Sequence, residues 1–275
     1  MKFAKIHGLG NDYVLINALK ENLSGIKFDD LARKMSNRHF GIGSDGIILI
    51  LPSNKADFKM RIFNSDGSEA EMCGNGIRGF AKYVYEHGLT KNKEITVETL
   101  AGIIKPKIID GMITVNMGEP VLDSKKIPMI CDKQKVINED LKLKDGTVLK
   151  VTCVSMGNPH CIVFVETFGM PVEKIGYEIE HHKAFPKKTN VEFIQIINKR
   201  EIAMQVWERG AGVTLACGTG ASAAVVASVL NGKTDRKVTV HLLGGDLNIE
   251  WNEKDNNVYM TGPAEEVYEG EYNYK

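Results

Sequence analysis

The sequence predicts an α+β protein of two pseudo-symmetric domains, each a curved, mainly antiparallel sheet wrapped around a central helix. Three observations carry this. The tetrad Cys-Gly-x-Gly is written twice, at Cys73 and at Cys217, 144 positions apart. At that offset residues 60–88 (MRIFNSDGSEAEMCGNGIRGFAKYVYEHG) fall on residues 204–232 (MQVWERGAGVTLACGTGASAAVVASVLNG), which sets Met60 on Met204, Phe63 on Trp207 and Gly88 on Gly232. The length, 275 residues, is also more than one typical domain needs to bury a core.

Taken in order, the elements repeat as well. GNDYVLIN at Gly10 and GNPHCIVFVE at Gly157 each read as a Gly-Asn turn leading into a β-rich strand. A short helix is expected over 29–39, and another over 172–182. DGIILIL at Asp45 and NVEFIQI at Asn190 read as the next strands. Each half then has a strand at Met60 or Met204, a polar loop, the Cys-Gly-x-Gly turn, a helix, and a glycine that stops it. The second of these helices, ASAAVVASVL over 221–230, is apolar nearly all round and should be buried; its partner, IRGFAKYVYEHG, is more amphipathic. ITVNMGEP at Ile113 is echoed by VYMTGPAE at Val258. The lysine-rich stretch 121–150 has little counterpart in this register and reads as a linker with a crossover strand. The expected domains are therefore 1–120 and 151–275.

Composition narrows the function. Lysine plus arginine and aspartate plus glutamate are balanced at 35 each, with no charged block, which argues against nucleic acid or a membrane surface as a partner. The start, MKFAKIHGLGND, lacks the apolar core of a signal peptide, and no run approaches the roughly 20 residues of a membrane span, so a cytoplasmic protein is expected. The cysteines, Cys73, Cys131, Cys153, Cys161 and Cys217, show no CxxC spacing and no cluster with histidine, so neither a disulfide framework nor a metal site is expected.

A cysteine at a helix start meets unsatisfied N–H groups and the positive end of the helix dipole, which favour a thiolate; the same N–H groups bind carboxylates. Two such cysteines on either side of one carboxylate-bearing carbon could invert an α-amino-acid centre without a cofactor. One thiolate removes the proton from one face and the other thiol supplies a proton to the opposite face. Core packing alone gives no reason to preserve Cys, Gly and Gly together while their neighbours diverge. Cys131, Cys153 and Cys161 read instead as small buried hydrophobes.

At these residues the chain resembles the diaminopimelate epimerase family, over essentially its whole length. HGLGND, NSDGSEAEMCGNGIR, MGNPH, TNVEF and ERGAGVTLACGTGASA stand in that family's order and approximate spacing. The resemblance implies a pyridoxal-independent isomerase with no cofactor, interconverting LL- and meso-diaminopimelate for lysine and peptidoglycan precursors. It also implies a homodimer whose domains close over the substrate. Carried over by motif, Cys73 and Cys217 are the acid/base pair. Gly74 and Asn75, with Gly218 and Thr219, hold the reacting carboxylate. Asn11, Asn64, Asn158, Asn190, Glu208 and Arg209 read the distal end of the substrate, and His160 and Glu208 tune the thiols. In GIGSDG, Gly46 stands where some relatives carry a glutamine. The alternatives are a proline or hydroxyproline racemase, which would favour histidine where this chain has Asn75, an isomerase of the phenazine-synthesis type, which uses a carboxylate base in place of the thiols, and a redox protein using Cys73 and Cys217.

Overall fold

The computed structural model describes residues 1–274. The first half of the chain runs β1 (Lys2–Gly8), β2 (Asn11–Asn17), α1 (Phe28–Ser36), β3 (Gly46–Leu51), β4 (Phe58–Asn64), β5 (Glu69–Ala70), α2 (Gly74–Glu86), β6 (Val97–Thr99), β7 (Gly102–Ile104), β8 (Lys107–Ile109) and β9 (Met112–Asn116). The second half runs β10 (Glu139–Lys142), β11 (Val148–Ser155), β12 (Pro159–Val165), α3 (Val172–Glu180), β13 (Asn190–Asn198), β14 (Glu201–Glu208), β15 (Gly212–Val213), α4 (Gly218–Leu230), β16 (Lys237–Leu242), β17 (Gly245–Trp251) and β18 (Val258–Gly262), before the final strand β19 (Glu265–Glu271). Two units result, one of Met1–Asn116 with the segment from Gly262 onward, the other of Met117–Thr261.

In the first unit the strand order is β19-β1-β2-β3-β4-β6-β7, with β5 on β4. The pairs β2–β3 and β4–β6 are parallel and the remaining pairs of this sheet antiparallel. β3, and β2 from Tyr13 to Ile16, are apolar and buried, the pattern of strands covered on both faces. Val14, Ile16, Ile47 and Leu49 pack with Leu31, Ala32 and Met35 of α1. The intervening Ile48 and, from β1, Ile6 face α2, where Cβ atoms built on Gly76 and Gly79 would come within 2.9 and 2.6 Å of their side chains. Glycine there lets the helix backbone lie directly on the sheet. α1 forms where the sequence sets Asp29 and Asp30 in the first turn and Arg33 and Lys34 in the last, which also pair at i,i+4.

The second unit repeats the plan. β12 and β13 are parallel with α3 between them, β14 is antiparallel to β13, β15 pairs with β14, and α4 follows. These elements match β2, α1, β3, β4, β5 and α2 one for one, so the duplication extends from sequence to strand order and sense. Ile162, Ile194 and the small-residue face of α4 are fully buried, and on the other face α3 packs with Cys161, Val163, Val191 and Phe193.

Two expected boundaries differ from the structure. The segment from Gly262 does not stay with the C-terminal half: β19 pairs antiparallel with β1 in the first unit's sheet. Its fit is steric as well as hydrogen-bonded, since a Cβ on Gly270 would lie 2.8 Å from Phe3 and the Phe3 and Tyr268 rings meet edge to face at 6.0 Å. The stretch 121–150 is no free linker either. Val121 bridges to Ser155, β10 extends the sheet from β11, and Ile127, Val136, Leu141 and Leu143 are buried in the second unit's core. These apolar residues, spaced between lysines, supply burial that net composition hides. The helices also shift: α1 and α3 stop at Ser36 and Glu180, and α4 starts at Gly218 rather than at residue 221.

Candidate active site

Both duplicated cysteines sit one residue ahead of a helix. Cys73 caps α2 and its Sγ accepts from the Gly76 N–H at 3.4 Å; Cys217 caps α4 and its Sγ accepts from the Gly220 N–H, also at 3.4 Å. Each cysteine backbone is extended while the next residue is helical, the geometry of an N-cap, and sulfur here takes the place that a serine or aspartate oxygen usually fills. Gly74 and Asn75 on one side, Gly218 and Thr219 on the other, form the first turns, where main-chain N–H groups point away from the helix. All six are residues that the sequence reading named for the site.

Around Cys73, Tyr13 of β2 donates its hydroxyl to Sγ at 3.3 Å, and Sγ lies 3.4 Å from Asn11 Oδ1. Burial, then the neighbouring sulfur, pushes the Tyr13 phenol well above its ordinary value, so it is a donor. Asn11 is fixed from behind, its Nδ2 donating to Asp45 at 2.8 Å. Asp45 and Asp12 share Arg38, at 2.8 and 2.7 Å, and Asp12 also pairs with Lys5, whose ammonium donates to the Gly43 carbonyl. Asp12 accordingly lies below the usual carboxylate range: the Arg38 and Lys5 hydrogen bonds outweigh its burial. Asn64 ends β4 opposite Gly46 of β3, and its side chain donates to Ser68 at 3.0 Å.

Around Cys217 the neighbours include two carboxyl groups, Glu208 and Glu192. Glu208, at the end of β14, accepts from Thr214 at 2.6 Å, and burial pushes its carboxyl up. Burial, then Glu208 and Glu192, pushes the Cys217 thiol well above its ordinary value. Thr219 Oγ1 lies 3.5 Å from Sγ and accepts from Asn158 Nδ2 at 3.3 Å. Asn158 Oδ1 is 3.0 Å from His160 Nε2, and His160 Nδ1 is 2.7 Å from Glu192 Oε1, both side chains fully buried. Asn190 donates to the Pro159 carbonyl at 2.9 Å and accepts the Arg209 N–H at 2.9 Å, which fixes the turn carrying Glu208 and Arg209. The Arg209 guanidinium donates to the Lys187 carbonyl at 3.2 Å.

Three residues of these two separate neighbourhoods were missed by the sequence reading. Glu192 interrupts the apolar run NVEFIQI on the face turned to α4, and Arg78 interrupts the buried face of α2; a charge at a core position was the available signal. Glu180, at the end of α3, accepts from Trp207 at 2.8 Å, the Gly210 N–H at 3.1 Å and Lys188 at 3.3 Å, bracing the same turn from below. Nothing local in HHKAFP or YEIE marks it. Cys153 and Cys161 face each other across β11 and β12 as buried free thiols, as expected, whereas Cys131 is only half-buried and its thiol donates to the Lys133 carbonyl at 3.2 Å.

Comparison with known proteins bears on the whole chain. The family model for diaminopimelate epimerase matches residues 3–122 and 152–267. A protein of Moorella thermoacetica described as a diaminopimelate epimerase is 56% identical over 278 residues, covering 99% of each chain. Among solved structures, a Bacillus anthracis phenazine biosynthesis protein of the PhzF family superposes with a TM-score of 0.72 at 16% identity, over 100% of this chain and 99% of that one. A hydroxyproline epimerase from Agrobacterium vitis gives 0.66 at 15% identity, over 98% and 91%. The last two show a shared fold. The first two, with a Cys-Gly-x-Gly helix start in each unit, show that this chain belongs to the diaminopimelate epimerase family.

Proposed function

We propose that this chain interconverts LL- and meso-2,6-diaminopimelate by proton transfer at the α-carbon, with Cys73 and Cys217 as the two acid–base groups, in the synthesis of L-lysine and peptidoglycan precursors. The observation that carries the reading is the doubled N-cap: each thiol accepts from the third N–H of its own helix at the same 3.4 Å. In the reaction the thiolate takes the α-proton from one face, leaving a carbanion, and the thiol protonates the opposite face. The cysteines end with their protonation states exchanged, and the reverse reaction uses that second state. A thiolate is a weak base for such a proton, so the carbanion must be stabilised. First-turn N–H groups at Gly74, Asn75, Gly218 and Thr219 supply that field on the α-carboxylate.

Glu208 tunes Cys217, and His160, held by Asn158 and Glu192, orients Asn158 and through it Thr219. Arg209 takes the distal carboxylate as a bidentate partner, and Asn11, Asn64, Asn158 and Asn190, with Glu208, line the distal end of the substrate. The two-thiol route needs neither pyridoxal nor a metal. The enzyme acts on a small molecule in the cytoplasm, as a homodimer. In support, no helix among the described residues is long and apolar enough to cross a membrane, and β19 is a sheet-edge strand exposing Val267 and Tyr268. Light scattering on the eluting peak of a sizing column tests the dimer; a monomer mass at micromolar concentration overturns it.

The reaction is tested by incubating reduced protein in D2O with LL-diaminopimelate and, separately, with L-proline, following the α-proton by NMR. Exchange and inversion of diaminopimelate alone, lost in Cys73→Ala and in Cys217→Ala, is the expected result. Turnover of proline, or full activity in either variant, overturns the reading.

A further inference from the structure

The duplicated scaffold carries different charges under its two thiols. In α2, Arg78 Nη1 donates to the Gly74 carbonyl at 3.1 Å; at the matching place in α4, Ser222 Oγ donates to the Gly218 carbonyl at 2.9 Å. Both side chains are fully buried. The same anchor is thus a cation in one unit and a neutral hydroxyl in the other. The strand beneath each helix start differs in the same sense. A Cβ on Gly76 would meet Ile48 Cδ1 at 2.9 Å, whereas one on Gly220 would meet Glu192 Oε1 at 2.6 Å and Cys217 Sγ at 3.2 Å. The carboxylate oxygen and the sulfur therefore border one small space. Glu192 Oε2 is buried and accepts no hydrogen bond.

We propose that Arg78 and Glu192 are positioning residues that divide the acid–base work: in the resting enzyme the buried guanidinium keeps Cys73 as the thiolate base, and the buried carboxylate keeps Cys217 as the thiol acid. The inference rests on the two-thiol reading above. The titratable and charged groups facing Cys73 are Tyr13 of β2, which donates to it, Arg78 of α2, and Asp45, which reaches it through Asn11 and is itself paired with Arg38. Facing Cys217 are Glu208 of β14, Glu192 of β13 and, behind Glu192, His160 of β12. Glu192 Oε1 meets His160 Nδ1 at 2.7 Å on its far side, and Glu208 adds a second carboxyl group beside the thiol. Arg78 stays cationic at neutral pH even though burial pulls it down to about 10, and the Cys73 sulfur opposes that pull. The cation Arg78 stands on the Cys73 side, where Asp45 is already paired with Arg38, and the carboxyl groups of Glu192 and Glu208 stand on the Cys217 side; that difference favours the anion at Cys73.

The test is alkylation of the reduced full-length protein by iodoacetamide across pH 5 to 10, with peptide mass spectrometry reading Cys73 and Cys217 separately. The midpoint of each curve is compared, not its height, so unequal access does not enter. The wild type is expected to alkylate at Cys73 with the lower midpoint. Arg78→Gln should slow Cys73 alkylation at pH 7 by about tenfold, moving its midpoint up by about one pH unit and leaving Cys217 in place, and Arg78→Lys should restore it. Glu192→Gln, nearly isosteric, should move the Cys217 midpoint down by a similar amount, and decides alone if Arg78→Gln fails to fold. Equal wild-type midpoints, a lower one at Cys217, or an unmoved Cys217 in Glu192→Gln overturns the proposal. A wild type that epimerises diaminopimelate with undivided midpoints sinks this inference alone. One with divided midpoints that exchanges no α-proton sinks the two-thiol reading and leaves the charge division standing.

Discussion

Glu208 shows how much a single side chain can be asked to do. It ends a strand, bonds Thr214 at 2.6 Å and places a carboxyl beside Cys217. Its own proton is held above the ordinary carboxylate range by burial. The sign for stability follows. As pH rises past the unfolded chain's lower value, the unfolded state loses its proton first, so folding is progressively penalised until the folded value is passed. Glu208→Gln removes that penalty, and its stability relative to wild type should therefore be greater at pH 8 than at pH 4 in paired denaturant titrations. The same change removes the group that works on Cys217 and is expected to lower kcat by about 100-fold or more. Little of this was legible locally. The role of Glu208 came from its motif, whereas Glu192 and Arg78, equally buried in charge, had only their intrusion into apolar runs to betray them.

Elements position these residues through close contacts that glycine permits. Gly176 lies in α3, and a Cβ there would come within 2.5 Å of Trp207 Cβ and 2.6 Å of its Cγ. Trp207 in turn donates to Glu180, which holds the Gly210 N–H of the Glu208–Arg209 turn. The obstructing atoms lie near the main chain and cannot swing aside, so Gly176→Ala is expected to cost about 1–3 kcal/mol. That is a loss of several degrees in Tm by calorimetry, at about 2–4 °C per kcal/mol for a domain of this size. Gly220→Ala meets Glu192 Oε1 and Cys217 Sγ instead, so activity should fall further than stability; equal losses in the two variants would contradict this. The strands of the repeat were readable because apolar runs and Gly-Asn turns are local signals. The first turn of α4 was not, because Gly-Thr-Gly has poor helix propensity and becomes helical only where Cys217 caps it.

At the scale of the molecule, the C-terminal strand belongs to the unit that begins the chain. β19 covers the outer edge of β1 along its length and packs Tyr268 on Phe3. Arg78 Nε also donates to the Pro263 carbonyl at 3.1 Å, so this segment holds the helix that carries Cys73. Truncation after Gly262 should therefore loosen the first unit, not the second. Limited proteolysis is expected to cut within 1–116 while fragments of 117–261 persist, and the reverse pattern would refute the assignment. By itself the sequence determined the duplication, the match of the Cys73 motif to the Cys217 motif, the strand and helix order within each repeat, and the family, because all four are written as residue identity at fixed spacing. The tertiary structure decided that β19 returns to β1, that 121–150 is core rather than linker, and that Arg78 and Glu192 are buried in the two repeats. Those depend on which side chains meet across strands distant in the chain, and burial converts such meetings into electrostatics that no local pattern of residues encodes.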